Sequence, residues 1–309
     1  KNNLDNMENN YSDSGMEDEN NGNNSNVSNG SYINYENYKN IRLGQSVKDI
    51  KSKLGEPNKI EKSEYGFDWY VYNSDYSKFC MVGILQNKVV ALFSNTMDSC
   101  ESNIKLGTTE SQVLKNYKPL EYRLKGNVRY IINEDYYSVI KTKTCYITAF
   151  YDSFDGNKVV GIQIISKKVE ENMDGIYSTD SSICGDFENV NRYLINSERF
   201  NKNLNTLSYD ENATLCARSH SKDMRDNDYF AHNNLKNQTP FDRMSSYNIN
   251  YMAAAENIAG GQTSGIFAHY ALMNSKGHRV NILGDYKYIG VGVVFGGSLS
   301  MYLTQNFYK

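Results

Sequence analysis

The sequence predicts an α+β protein: a C-terminal α-β-α sandwich preceded by an α+β module built from two helix-plus-meander repeats. Two observations carry this. One helix-opening segment occurs twice, 63 residues apart, and strand-forming runs follow each copy. Beyond residue 186, helical spacing comes first and two long strands come last. Helices followed by strands argue for layers around a small antiparallel sheet rather than for alternating βαβ units.

Residues 1–40 hold 14 Asn and set two Lys against seven Asp or Glu, with few apolar residues between them. Such a stretch cannot bury enough apolar surface to offset chain entropy. It reads as a disordered leader, suited to tether a folded body to an upstream anchor. The module over 41–168 opens with Ile41-Arg-Leu-Gly-Gln-Ser-Val-Lys-Asp-Ile50, which returns as Ile104-Lys-Leu-Gly-Thr-Thr-Glu-Ser-Gln-Val113. In each copy a glycine, Gly44 or Gly107, stands two residues before a hydroxyl N-cap. Ser46 meets Asp49 three residues on, and Thr109 meets Gln112, both close to a reciprocal capping pattern. Each copy therefore opens a short helix, with Val47, Ile50 and Leu54 on one face of the first and Pro57 and Pro119 as stops.

Strand formers follow over 67–72, 80–85 and 89–94 in the first copy, and over 146–151 and 159–165 in the second. No titratable cluster in this module suggests catalysis, so it reads as a binding or spacing domain. Residues 169–185 read as a polar linker into the domain at 186–309. There, helical spacing resumes at Phe187, Val190, Tyr193 and Leu194, then at Ala213, Ala217, His220 and Met224, with Asp210 placed to cap the second helix. A third helix is expected over 265–274. Strands over 288–295 and 299–307 flank the turn at Gly296-Gly297.

Net charge is only −3, so no basic field exists to draw nucleic acid or an anionic membrane. No apolar run approaches the roughly 18 residues that a membrane span needs. The chain opens at Lys1 on polar sequence, compatible with an upstream signal segment or anchor. Five cysteines form neither a CxxC pair nor a zinc-ligand spacing. They read as buried small hydrophobes, with Cys184 and Cys216 as the one bridge considered.

All four histidines lie in the C-terminal part. His220 shares a helical face with Ala213, Ala217 and Met224, and His269 sits mid-helix beside Tyr270. Both read as structural. His232 follows Tyr229-Phe-Ala231 before a polar loop, and His278 lies in Ser275-Lys-Gly-His-Arg279, where Gly277 would permit an unusual backbone angle. Glu256 follows three alanines, which tend to bury its carboxylate. A buried carboxylate needs a partner, and two imidazoles, or a metal they hold, would supply one.

Seven short segments occur in order: Ala217-Arg-Ser-His-Ser-Lys-Asp-Met224, Tyr229-Phe-Ala-His232, Pro240-Phe-Asp-Arg243, Ala255-Glu-Asn-Ile258, Asn274-Ser-Lys-Gly-His-Arg-Val-Asn-Ile282, Ile289-Gly-Val-Gly292 and Thr304-Gln-Asn-Phe307. This series resembles the bacterial branch of the CAP superfamily, with an SCP-like extracellular domain. The repeat module resembles the CAP-associated N-terminal domain of extracellular proteins from Gram-positive bacteria. The resemblance implies a surface cleft with two histidines and two acids that takes up a divalent cation, often zinc. His232 and His278 map to the metal-binding pair and Glu256 to the first acid, with Asn257, Ser275, Arg279 and Gln305 lining the cleft. The second acid is not evident: its position falls near Ser275, Leu272 stands for a helix Trp, and Lys276 for a Pro.

Two functional readings follow, beside a purely structural one in which His232, Glu256 and His278 are hydrogen-bond partners that stabilise the cleft. The first is a secreted or surface-attached protein whose cleft binds an extracellular ligand, a peptide or a cell-wall component, with facultative metal at the His pair. The second is a metal-dependent hydrolase of peptide or envelope polymer, with Glu256 as general base; Asp285 or Tyr286 could approach, but nothing in the sequence orients them. The missing acid favours the first, since two protein ligands hold zinc weakly. Ser221 and Ser275 lack the strained turn of a nucleophile.

Overall fold

The structure is a computed structural model that describes residues 41–96 and 104–309; the leader expected over 1–40 lies outside them. Both repeat copies begin with the same local chemistry. Gly44 and Gly107 take φ of 85° and 84°, a left-handed backbone that glycine adopts without penalty, and donate to the carbonyls of Val89 and Val159 at 2.8 Å. Helix α1 (Val47–Leu54) then follows Ser46, and α2 (Glu110–Asn116) follows Thr109. Both carry complete capping boxes, with Asp49 and Gln112.

Around the helices run β1 (Lys59–Lys62), β2 (Asp68–Tyr72), β3 (Cys80–Leu85), β4 (Lys88–Ser94), the separate hairpin β5 (Tyr122–Lys125) and β6 (Val128–Ile131), then β7 (Tyr137–Lys141), β8 (Cys145–Asp152) and β9 (Lys158–Ser166). Seven of them form one antiparallel sheet in the order β1-β2-β3-β4-β9-β8-β7. The β4–β9 pairing joins the two meanders. β1, β5, β6 and β7 are absent from the strands expected above, because their short sequences mix charged and apolar residues.

Alternation along β3 and β4 sends Cys80, Val82 and Leu92 to the face beneath α1 and α2, and Met81, Ala91 and Phe93 to the opposite face. Both faces are buried. The second face is covered by the C-terminal part of the chain, which comprises α3 (Lys167–Asn172), α4 (Cys184–Asn201), β10 (Ser208–Tyr209), α5 (Glu211–Asp226), α6 (Pro240–Ser246), β11 (Ala254–Gly260), α7 (Gly265–Met273), α8 (Lys276–Ile282), β12 (Tyr288–Phe295) and β13 (Met301–Tyr308). Val190 and Leu194 of α4 and Phe267 and Tyr270 of α7 share one core with Phe67, Trp69, Phe93 and Phe150. Tyr270 stacks on Phe150 with ring centroids 4.2 Å apart. Gly161 makes room for it, since a Cβ there would lie 1.9 Å from the Tyr270 oxygen.

The stretch expected as a polar linker, 169–185, is bound at several points. Val169 and Glu170 of α3 are buried, and Glu170 pairs with Lys125 at 3.0 Å and accepts from Tyr65 at 2.6 Å. Tyr177 donates to the Gly261 carbonyl at 2.8 Å. Across the shared core, Glu61 of β1 accepts from Tyr193 of α4 at 2.6 Å.

The C-terminal part is an α-β-α sandwich around a four-stranded sheet in the order β10-β12-β13-β11. Helix α5 is capped by Asp210 and lies on one face against β12 and β13. Its approach needs Gly290 and Gly292, where a Cβ would stand 2.1 Å from the α5 backbone. Ile289, Val291 and Val293 point the other way, into a core with Phe187 and Ile195 of α4 and Leu272 of α7. Cys184 and Cys216 are free thiols, so the bridge considered between them is not formed. Cys100 lies outside the described residues.

Candidate functional site

Glu256 sits on β11, an edge strand, with its side chain on the α5 face of the sheet. It is buried there, its side chain only 1% exposed. Two groups hold it. The Arg243 Nη2 donates to Oε2 at 2.6 Å, and the His232 Nδ1 lies 3.0 Å from Oε1. Arg243 is delivered by α6, whose start is fixed by the Thr239–Asp242 capping box and by Pro240 in the first turn. Its Nη1 donates to the carbonyls of His232 and Gln238, so one guanidinium ties the acid to the loop that carries the imidazole.

His232 lies beyond α5, which ends at Asp226, and its side chain is about half exposed (48%). His220, on α5, is buried. Its Nε2 bonds the Ala231 carbonyl at 3.0 Å and stands 3.8 Å from Glu256 Oε1. A carbonyl or a carboxylate only accepts, which puts protons on His220 Nε2 and His232 Nδ1. In its neutral form His232 thus keeps a free lone pair at Nε2. Burial pushes the His220 pKa down, against the pull of Glu256.

His278 stands on α8, half-buried. Burial lowers its pKa, and charge on His232 lowers it further. The structure thus places the His232 ring against Glu256, with His278 on the neighbouring α8. Gly277 is an ordinary residue of α8 with no positive φ, contrary to the unusual angle expected of it.

Three residues expected to line the cleft do not. Asn257 and Gln305 are fully buried, because strand alternation puts them on the face opposite Glu256. There they form a chain of amides: Asn281 donates to Asn257 at 2.8 Å, Asn257 to Gln305 at 3.0 Å, Gln305 to Asn191 at 2.7 Å and Asn191 to the Gly265 carbonyl at 2.9 Å. Arg279 is drawn the other way, onto Asp152 of β8 at 3.0 and 2.8 Å. Ser275 is the partly buried N-cap of α8, without a capping bond from its side chain. Asp285 pairs with Lys309 at the surface. Ser221 is buried and bonds the Gly292 carbonyl and Thr304, a structural role. His269 is wholly buried in α7.

Arg243 carries the site as much as any expected residue, and no role is given to it by sequence reasoning. Its signal is the Pro240-Phe-Asp-Arg243 segment together with the need of a buried Glu256 for a counter-charge.

Comparison with known proteins gives the family. The profile of the cysteine-rich secretory protein family matches residues 192–307, and that of the CAP-associated N-terminal domain matches residues 43–175. A Bacillus subtilis protein, described as the uncharacterized membrane protein YlbC, is 31% identical over 298 residues, covering 86% of this chain and 82% of its own. This chain belongs to the cysteine-rich secretory protein (CAP) family. The uncharacterized Bacillus subtilis protein YkwD is 45% identical over 115 residues, 37% of this chain and 44% of its own. Among solved structures, an extracellular protein containing an SCP domain from Bacillus anthracis aligns with a TM-score of 0.75 at 26% identity, over 86% of this chain and 93% of that one. A cysteine-rich secretory protein from Staphylococcus aureus shares the fold, with a TM-score of 0.68 at 16% identity over 86% of this chain and 93% of that one. The bacterial CAP fold with its N-terminal module thus accounts for the described chain, and within this CAP domain Glu256 is the acid at which three elements converge. Among the described residues no helix is long and apolar enough to cross a membrane.

Proposed function

We propose that this CAP protein is secreted or surface-attached and that its cleft binds a ligand, either a peptide or a component of the cell envelope. The extracellular description of the Bacillus anthracis neighbour supports the location. One observation favours binding over hydrolysis. Both oxygens of Glu256 are engaged, one by Arg243 and one by His232, so the carboxylate orients an imidazole instead of facing a water molecule. A general base must reach the proton it removes.

The same arrangement fits facultative metal. A carboxylate bound to one ring nitrogen fixes the tautomer and leaves the other nitrogen to coordinate. His232 Nε2 and His278 would supply two ligands, and solvent the rest. Among the described residues no group of three or more His, Cys, Asp or Glu side chains is placed to hold an ion.

Calorimetric titration of zinc into wild type, His232→Ala, His278→Ala and Glu256→Gln tests the site. Binding by wild type is expected to vanish in both His variants and to weaken about 10- to 100-fold in Glu256→Gln. Wild-type binding weaker than about 1 mM, or equal binding in all four, overturns the metal reading. Hydrolysis of peptide or peptidoglycan that Glu256→Gln abolishes while wild type turns over would restore the enzyme reading.

A further inference from the structure

The repeat module meets the cleft through α8, the helix that carries His278. That helix has seven residues and no side-chain cap at its start, and its Gly277 meets nothing within 4 Å. So short a helix does not fix its own position, since nucleating one turn already opposes chain entropy. Outside groups hold it. On one side Asn257 of β11 donates to the His278 carbonyl at 3.1 Å.

On the other side the hold comes from the repeat module. Arg279, next to His278, forks onto both oxygens of Asp152, the last residue of β8, at 3.0 and 2.8 Å. Its guanidinium also donates to the Met273 carbonyl at 3.1 Å and lies 5.1 Å from the Phe154 ring centroid. Asn274, just before the start of α8, accepts from the Ser153 N–H at 2.8 Å and donates to the Tyr151 carbonyl at 2.9 Å. Asp152 is 2% exposed, and Lys202 of α4 adds a second cation at 3.7 Å. A two-pronged bond between planar groups fixes orientation as well as distance, and burial removes competing water. The end of β8 thus grips the α7–α8 corner at three residues.

We propose that the repeat module serves the cleft directly: Asp152 is a positioning residue that, through Arg279, holds α8 and the His278 ring in place. This gives the module a role within its own chain, whether or not it also binds an outside partner. The inference rests on the cleft reading only for why the place of His278 matters; the coupling itself stands on the contacts between β8 and α8.

The test uses the full chain, with ring signals of the four histidines followed by nuclear magnetic resonance at one fixed pH. In Asp152→Asn the His278 ring signals are expected to shift and broaden, while those of His220, on α5, stay at their wild-type positions. Asp152→Glu, which keeps the charge, is expected to move His278 back toward wild type. A folded Asp152→Asn with an unchanged His278 signal overturns the proposal. If that variant does not fold, Arg279→Lys decides instead: it keeps the charge and loses the fork, so a wild-type His278 signal there overturns the proposal equally. Zinc titration separates the two readings. Wild type that binds no zinc defeats the metal site, yet a His278 shift in Asp152→Asn still upholds the positioning.

Discussion

His269 offers a sharp check on the energetics of this fold. Its ring is wholly buried in α7, neither nitrogen has a partner, and its pKa is pushed down to about 3, first by burial and then by the Arg279 charge. The unfolded chain takes up this proton near pH 6.5, whereas the folded chain refuses it until about pH 3. Between those values the unfolded state binds more protons, so stability is full above pH 6.5 and is lost as pH falls through the window. The whole shift amounts to about 5 kcal/mol, of which about 2 kcal/mol is lost by pH 5. Other carboxylates and histidines titrate in the same range, so a difference between variants is needed. His269→Leu removes the titration at similar volume and relieves two unpartnered nitrogens. At pH 7.5 it should be at least as stable as wild type, because an apolar group replaces a buried polar one that has no bond. Urea unfolding of both proteins from pH 7.5 to 5.0 should show the gap widen by about 2 kcal/mol in favour of Leu. A gap that stays constant across that range would refute a buried, neutral His269.

Two further outcomes follow from the packing. Arg243→Met leaves the Glu256 carboxylate buried beside His232 and His220 without its guanidinium and should cost about 3–5 kcal/mol in urea unfolding, with part recovered by adding Glu256→Gln; a loss under about 1 kcal/mol would contradict a buried Arg243–Glu256 pair. Two glycine replacements should act in opposite directions. Gly290→Ala drives a Cβ to 2.1 Å from the α5 backbone and should cost about 1–3 kcal/mol or more, whereas Gly277→Ala meets open space inside α8 and should gain roughly 0.5–1 kcal/mol. Equal shifts in melting temperature for the two would contradict the close approach of α5 to β12.

The sequence by itself determined the local devices and the order of the layers. Ser46 with Asp49, Thr109 with Gln112 and Asp210 before α5 can be read because a capping bond joins residues within one turn. The positions of Gly44 and Gly107 follow for the same reason, as one turn sets their backbone angle. The family series was legible too, and it led to His232, Glu256 and His278 although they lie on a loop, a strand and a helix.

Only the tertiary structure decided what those residues face. Asn257 and Glu256 are neighbours in sequence yet point to opposite sides of β11, so one joins a buried amide chain and the other meets Arg243. Nothing local told Arg279 to turn from the cleft to Asp152, 127 residues earlier in the chain. Nor did the strands of the repeat module reveal what lies over their second face, although apolar runs such as Cys80–Leu85 hold residues for two covers. Charge pairing and burial depend on which surfaces meet, and those surfaces are brought together only when the repeat module closes onto α4 and α7.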